Sequence, residues 1–180
     1  LTTECAYATG TVVLNNGVTL SCDEAISGAS PVADPFSNLA TPTPSGPCLN
    51  TPNGNPATTT LTAGYYCNGM TMKGNVTLGS GVYYVAGDLS INAGAIVAGS
   101  NVTFYLAGNS KVTINGTAKV TLSAPTTGPY SGILFYGDRN NTANQTFNGT
   151  ADSSMTGHIY FKSADVKYAG NFSGLNGCVN

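Results

Sequence analysis

Eight carboxylates, one histidine and five cysteines are the groups from which this chain could build a catalytic or metal centre. Polysaccharide cleavage needs two or three carboxylates within about 5–10 Å, or a Ca²⁺ cluster beside a basic residue. The acids are Glu4, Asp23, Glu24, Asp34, Asp88, Asp138, Asp152 and Asp165, with no Asp-Asp or Asp-x-Asp pair among them. Asp23-Glu24 is adjacent, but it follows a cysteine at a position that a surface turn explains. Asp138, beside Arg139 and just after an aromatic pair, is the best placed to act. A salt-bridged or hydrogen-bonded loop anchor accounts for the same two residues with fewer assumptions. His158 stands alone between Gly157 and Ile159, where a histidine is more often an edge residue than a ligand. No serine lies in a Gly-x-Ser-x-Gly elbow, and no cysteine has an obvious base partner. The expectation is a non-enzyme with no catalytic residue, no metal and no cofactor.

The cysteines carry a different chemistry. Cys5 and Cys22 are 17 residues apart, Cys48 and Cys67 are 19 apart, and no Cys-x-x-Cys occurs. If about 20 residues make one coil, each pair stacks about 4.8 Å apart, inside the roughly 4.4–6.8 Å Cα window of a disulfide. Bridges 5–22 and 48–67 are expected, and with them an oxidising, extracytoplasmic address. Cys178 is left over, either free or paired with a second chain.

The elements that must position these groups are announced by aromatic doublets. Tyr65-Tyr66, Tyr83-Tyr84, Phe104-Tyr105, Phe135-Tyr136 and Tyr160-Phe161 follow one another at intervals of 18, 21, 31 and 25 residues. Corners rich in Gly and Asn recur between them, at Gly74-Asn75, Ala93-Gly94, Asn115-Gly116, Asn148-Gly149 and Gly170-Asn171. Short apolar-Thr-apolar runs such as Val76-Thr77-Leu78 and Val120-Thr121-Leu122 alternate as strands do. A period near 20 residues with this content predicts an all-β, single-stranded parallel β-helix (β-solenoid) of roughly six to seven coils. Residues 1–26 read as an N-terminal coil or cap, and 27–58, with seven prolines, as an ordered Pro-rich loop near the N-terminal end. Residues 59–174 read as regular coils, interrupted by loops at 123–131 and 137–150, and 175–180 as a tail. All of this fits one domain.

One member of each doublet must point inward. The other would form an aromatic surface ladder, for which Tyr66, Tyr84, Tyr105 and Tyr136 are the candidates, and such a stripe could stack on carbohydrate. Thr19, Thr77, Thr103, Thr113 and Thr121 each sit between apolar residues and suggest solvent-facing threonine rows, a surface that could bind ice. Asn75, Asn101, Asn115, Asn140, Asn144, Asn148 and Asn171 open Asn-x-Ser/Thr triplets, which this composition produces by itself.

Charged residues make up 8% of the chain, against about 25% in ordinary globular proteins. A net charge of −2 with six basic residues gives no footprint for nucleic acid. No apolar run approaches the roughly 18 residues of a membrane span, so no membrane insertion by this chain is expected. The first residue, Leu1, suggests a processed or trimmed product.

Gly64-Tyr65-Tyr66-Cys67-Asn68-Gly69, Gly81-Val82-Tyr83-Tyr84-Val85 and Val102-Thr103-Phe104-Tyr105-Leu106 resemble segments of a known family. So do Val32-Ala33-Asp34-Pro35-Phe36, Leu122-Ser123-Ala124-Pro125 and Gly128-Pro129-Tyr130-Ser131-Gly132-Ile133-Leu134-Phe135. Together, over residues 22–178, they look like the C-terminal β-solenoid region of TadG-like proteins associated with bacterial Tad (Flp) pili, most specifically in the string from Pro125 to Arg139. The resemblance implies an extracellular or cell-envelope protein with no active site, acting at pili or the cell surface. The function expected is that of a structural or adhesive solenoid, with pilus components, surface carbohydrate or a head-to-tail copy of itself as partners, and filaments as one outcome. Two alternatives stand beside it: a carbohydrate-binding or polysaccharide-degrading β-helix, and an ice- or surface-binding threonine ladder.

Overall fold

The computed structural model describes residues 2–3, 6–8, 19–20, 25–31, 33–52, 58–150 and 153–170. Two compact units are present, Leu1–Leu39 with Ser173–Asn180, and Ala40–Phe172. In the first unit, strand Thr2–Thr3 pairs in parallel with Thr19–Leu20, and Ala6–Ala8 with Ala25–Ser27. Asp34 closes a turn there: its Oδ1 accepts the Phe36 N–H at 2.8 Å and its carbonyl accepts the Ser37 N–H at 3.1 Å.

The second unit is a parallel β-solenoid in which each turn lays one strand into each of three five-stranded sheets. Sheet I holds Thr58–Leu61, Asn75–Leu78, Ile96–Gly99, Lys119–Ser123 and Ser154–Thr156. Sheet II holds Gly64–Tyr66, Gly81–Val85, Val102–Leu106, Ile133–Gly137 and His158–Tyr160. Sheet III holds Met70–Met72, Leu89–Ile91, Val112–Ile114, Gln145–Gly149 and Val166–Gly170. Among the described residues there is no helix, and hence none long and apolar enough to cross a membrane.

Strand alternation builds the core. In sheet I, Val76, Val97 and Val120 stack inward, as do Leu61, Leu78 and Leu122. Sheet III contributes Met70, Leu89 and Val112, and beside them Met72, Ile91, Ile114 and Phe147. Each such side chain is worth about 1.5–3 kcal/mol when taken out of water. A column rich in Thr and Ser faces outward on two of the three sheets: Thr60, Thr77, Ala98, Thr121 and Ser154 on sheet I, and Thr71, Ser90, Thr113, Thr146 and Lys167 on sheet III.

Three expectations need correction. Among the described residues the solenoid of the second unit has five turns, against the six or seven expected, and its fourth is lengthened: Thr121 pairs with Ser154, 33 positions on, while Val76 pairs with Val97, 21 on. That extra length is the loop after Ser123 and the loop from Asp138, and the second is shorter than 137–150 because Gln145–Gly149 is a strand of sheet III. The threonines do not form one face. Thr77 and Thr121 lie on sheet I and Thr113 on sheet III, while Thr103 is buried on sheet II and donates its hydroxyl to the Ile133 carbonyl at 2.7 Å.

Corners are tight where sheets II and III meet. Gly69 (φ 78°) lies against Gly87 and Asp88 of the next turn; a Cβ on Gly69 would come within 2.5 Å of the Asp88 carbonyl oxygen. A side chain is excluded there by backbone, which cannot move aside.

The segment before the first turn forms a strap. The Leu49 N–H donates to the Tyr65 carbonyl at 2.7 Å, and the Thr71 N–H donates to Thr51 Oγ1 at 3.2 Å. Leu49 packs on the core, and the disulfide Cys48–Cys67, with Cα atoms 5.4 Å apart, pins the strap. Their separation of 19 equals the offset between the paired residues Gly64 and Tyr83, so a one-turn relationship holds for this pair. Cys5, Cys22 and Cys178 lie outside the described residues.

Candidate functional site

Sheet II places the aromatic doublets, and they divide into two stacks. The inner one runs Tyr66, Tyr83, Phe104, Phe135, then Phe147 and Tyr168, with ring centroids 5.1–5.9 Å apart. The outer one runs Tyr65, Tyr84, Tyr105, Tyr136 and Tyr160, with centroids 5.1–5.6 Å apart. Each well-placed ring pair adds about 0.5–1.5 kcal/mol beyond burial.

The expected surface ladder is therefore altered at two points. Tyr66 is 1% exposed and faces inward, its hydroxyl donating to the Thr62 carbonyl at 2.8 Å; Tyr65 takes its place in the outer row. Tyr105 and Tyr136 do belong to the outer row, but they are 1% and 0% exposed. Two loops lie over this face. The Tyr130 ring stands 6.5 Å from Tyr136, its hydroxyl donates to the Ala40 carbonyl at 3.1 Å, and Pro42 is buried alongside. Only Tyr65, Tyr84 and Tyr160 of the row, with Tyr130 above it, keep part of their surface.

Counting from the corner glycine would have found Tyr65 and Tyr160. The second residue after the corner glycine is inward at Tyr66, Tyr83 and Ile159, and the third is outward at Tyr84 and Tyr160. Matching doublet to doublet ignores this parity. Tyr130 carries no such signal because it lies in a loop.

Burial protects the phenols. It pushes the Tyr168 pKa up to about 12 and raises that of Tyr66. For Tyr83 burial acts first and the neighbouring Tyr66 second, partly offset by the hydrogen bond to Gly79; for Tyr105 burial is followed by the negative charge of Asp138. Tyr84 and Tyr130 move in the same direction, again chiefly through burial. None of these six is a phenolate nucleophile near neutral pH.

The Asp138–Arg139 pair sits where sheet II turns into sheet III. Asp138 Oδ1 accepts the Asn140 N–H at 2.9 Å, and its Oδ2 accepts the Tyr105 hydroxyl at 3.1 Å. Arg139 Nη1 donates to the Tyr160 hydroxyl at 3.1 Å, its guanidinium carbon 6.0 Å from that ring's centre, and its carbonyl accepts the Ser163 hydroxyl at 2.8 Å. The two residues fasten turns three, four and five together. His158 is exposed at the start of its strand, its backbone N–H bonded to the Gly132 carbonyl at 2.7 Å.

Beneath this corner runs a buried polar column that sequence reasoning missed. Gln145 Oε1 accepts the Val112 N–H at 2.6 Å, and Asn141 Nδ2 donates to the Ser110 carbonyl at 2.8 Å. Ser153 Oγ accepts the Val120 N–H at 3.1 Å in the same manner on sheet I. Where the chain leaves the sheet, side-chain oxygens complete the ladder. Among the described residues no buried side-chain nitrogen or oxygen lacks a partner, and no His/Cys/Asp/Glu group could hold a metal.

One concavity opens on the aromatic face, about 200 Å³, between Tyr84 and Tyr130, with Val82, Pro42, Thr43 and Ser45 around it. No family model, curated protein or solved structure matches the chain.

Proposed function

We propose that this solenoid is a non-enzymatic structural or adhesive element of the cell surface or extracellular space, working within a pilus-associated assembly. The observation that carries the reading is the use to which its reactive side chains are put. Asp138 ties its turn to the one before through Tyr105 and fixes its own loop at Asn140, Asp88 accepts the Lys111 N–H at 2.9 Å, and Arg139 bonds a tyrosine. Carboxylates and a guanidinium tied to the fold in this way are the groups that general acid–base chemistry would otherwise draw on. The disulfide Cys48–Cys67 supports an oxidising compartment. Pilus association extends the resemblance of the Pro125–Arg139 string, which here supplies the Tyr130 loop and the buried strand Ile133–Gly137.

Two measurements test the proposal together. Protease treatment of intact producing cells should cleave the chain, and incubation with a panel of polysaccharides should release no new reducing ends. Depolymerisation that disappears in Asp138→Asn would overturn it in favour of a hydrolase, and a chain protected until lysis would overturn the surface location.

A further inference from the structure

We propose that the notch between Tyr84 and Tyr130 is a binding subsite for a single neutral sugar ring. The inference rests on the surface-exposed, adhesive reading above and gives it a ligand class. Tyr84 is where the outer row emerges from its roof: Tyr105 and Tyr136 are fully covered, whereas Tyr84 keeps an open flank. Its ring is held between Tyr65 at 5.5 Å and Tyr105 at 5.1 Å, so the platform is fixed before any ligand arrives. The opposite wall is Tyr130, held by its bond to the Ala40 carbonyl and by its contact with Tyr136. Walls that are already ordered lose little entropy on binding.

The lining selects the chemistry. Two phenol rings with Val82 and Pro42 offer apolar surface to the C–H face of a pyranose, and Thr43 and Ser45 place hydroxyls at the rim for its O–H groups. No charged side chain lines the notch, so an acidic sugar would surrender hydration without a counter-charge. The volume of about 200 Å³ lies below the roughly 300 Å³ at which pockets for drug-sized ligands begin, which leaves room for one ring. A proline ring from another protein has similar dimensions, but it would not use the two rim hydroxyls as donors and acceptors together.

Saturation-transfer NMR on the whole chain tests this with glucose, galactose, N-acetylglucosamine and glucuronate, each free and as the terminal residue of an immobilised glycan. Transfer to the ring protons of at least one neutral sugar is expected, with glucuronate silent. The free and glycan-terminal arms show whether the subsite takes a loose sugar or a chain end. Tyr84→Ala should weaken binding roughly tenfold or more, and Thr77→Ala, on sheet I, should leave it unchanged. Ser45→Trp, at an exposed loop position, should block the notch without touching the solenoid core, and it keeps the proposal testable should Tyr84→Ala fail to fold. Silence from every neutral sugar, equal binding by Ser45→Trp, or saturation of a proline-rich peptide in their place would overturn the subsite. The surface-exposure and depolymerisation results stand or fall independently of these outcomes.

Discussion

Tyr65 and Tyr66 are neighbours with the same side chain and opposite roles, one in the outer row and one in the core. Position along the strand decides this, because a strand alternates from wherever it starts. The doublets made the existence of an aromatic wall legible; they did not reveal its roof, because that depends on the Tyr130 loop meeting a segment at Ala40, 90 residues earlier. Asp138 was legible as an anchor, and its partner Tyr105, 33 residues earlier, was not. At this scale two substitutions, both at buried positions, separate apolar packing from hydrogen bonding. Phe104→Ala, in the middle of the inner stack, should cost about 3–5 kcal/mol in urea unfolding. Gln145→Leu should cost about 1–3 kcal/mol although it adds apolar volume, because the buried Val112 N–H is left without an acceptor. A neutral Gln145→Leu would show that water or a shifted strand supplies that bond.

Strands, loops and strap differ in how plainly the sequence announces them. Runs such as Val76-Thr77-Leu78 were legible because three consecutive side chains state the alternation. Gln145–Gly149 was not: only Phe147 marks its inward face, and Asn, Thr and Gln read equally well as loop. The strap was half visible, since Cys48 and Cys67 gave its fastening and nothing gave its hydrogen bonds to Tyr65 and Thr71. Closing a loop of this length should contribute about 3 kcal/mol through the unfolded chain. The double variant Cys48→Ser with Cys67→Ser should lose that amount in denaturant unfolding. Release of the strap would also uncover the edge of the strand Gly64–Tyr66, and an unpaired edge templates another chain. Light scattering across a concentration series should therefore show stronger self-association for the double variant than for the native chain. An unchanged monomer mass in the variant would sink the idea that the strap governs end-to-end contact.

At the level of the whole molecule the fold holds few charges and many buried phenols, and this sets its response to pH. Among the described residues, six tyrosines have pKa values raised in the fold by burial, Tyr168 to about 12 and Tyr83 and Tyr105 further still. In the unfolded chain the same groups ionise near 10.0. Above that value the unfolded chain sheds protons that the fold retains, so ionisation pulls the equilibrium toward unfolding. The stabilisation is fully present below pH 10 and is lost as the pH rises through the folded values, about 12 for Tyr168 and higher for the deepest rings. Each tyrosine contributes at most about 1.4 kcal/mol per pH unit, a ceiling that solvent lowers for half-buried Tyr84 and Tyr130. Urea midpoints should thus stay nearly level between pH 6 and 9 and fall steeply between pH 10 and 12. Absorbance of phenolate followed in the same samples should rise in two stages, the second coinciding with loss of the far-ultraviolet β signal. A single smooth titration near pH 10 with the fold intact would mean that the inner stack is open to water, and the packing described for Tyr66, Tyr83 and Tyr168 would have to be abandoned.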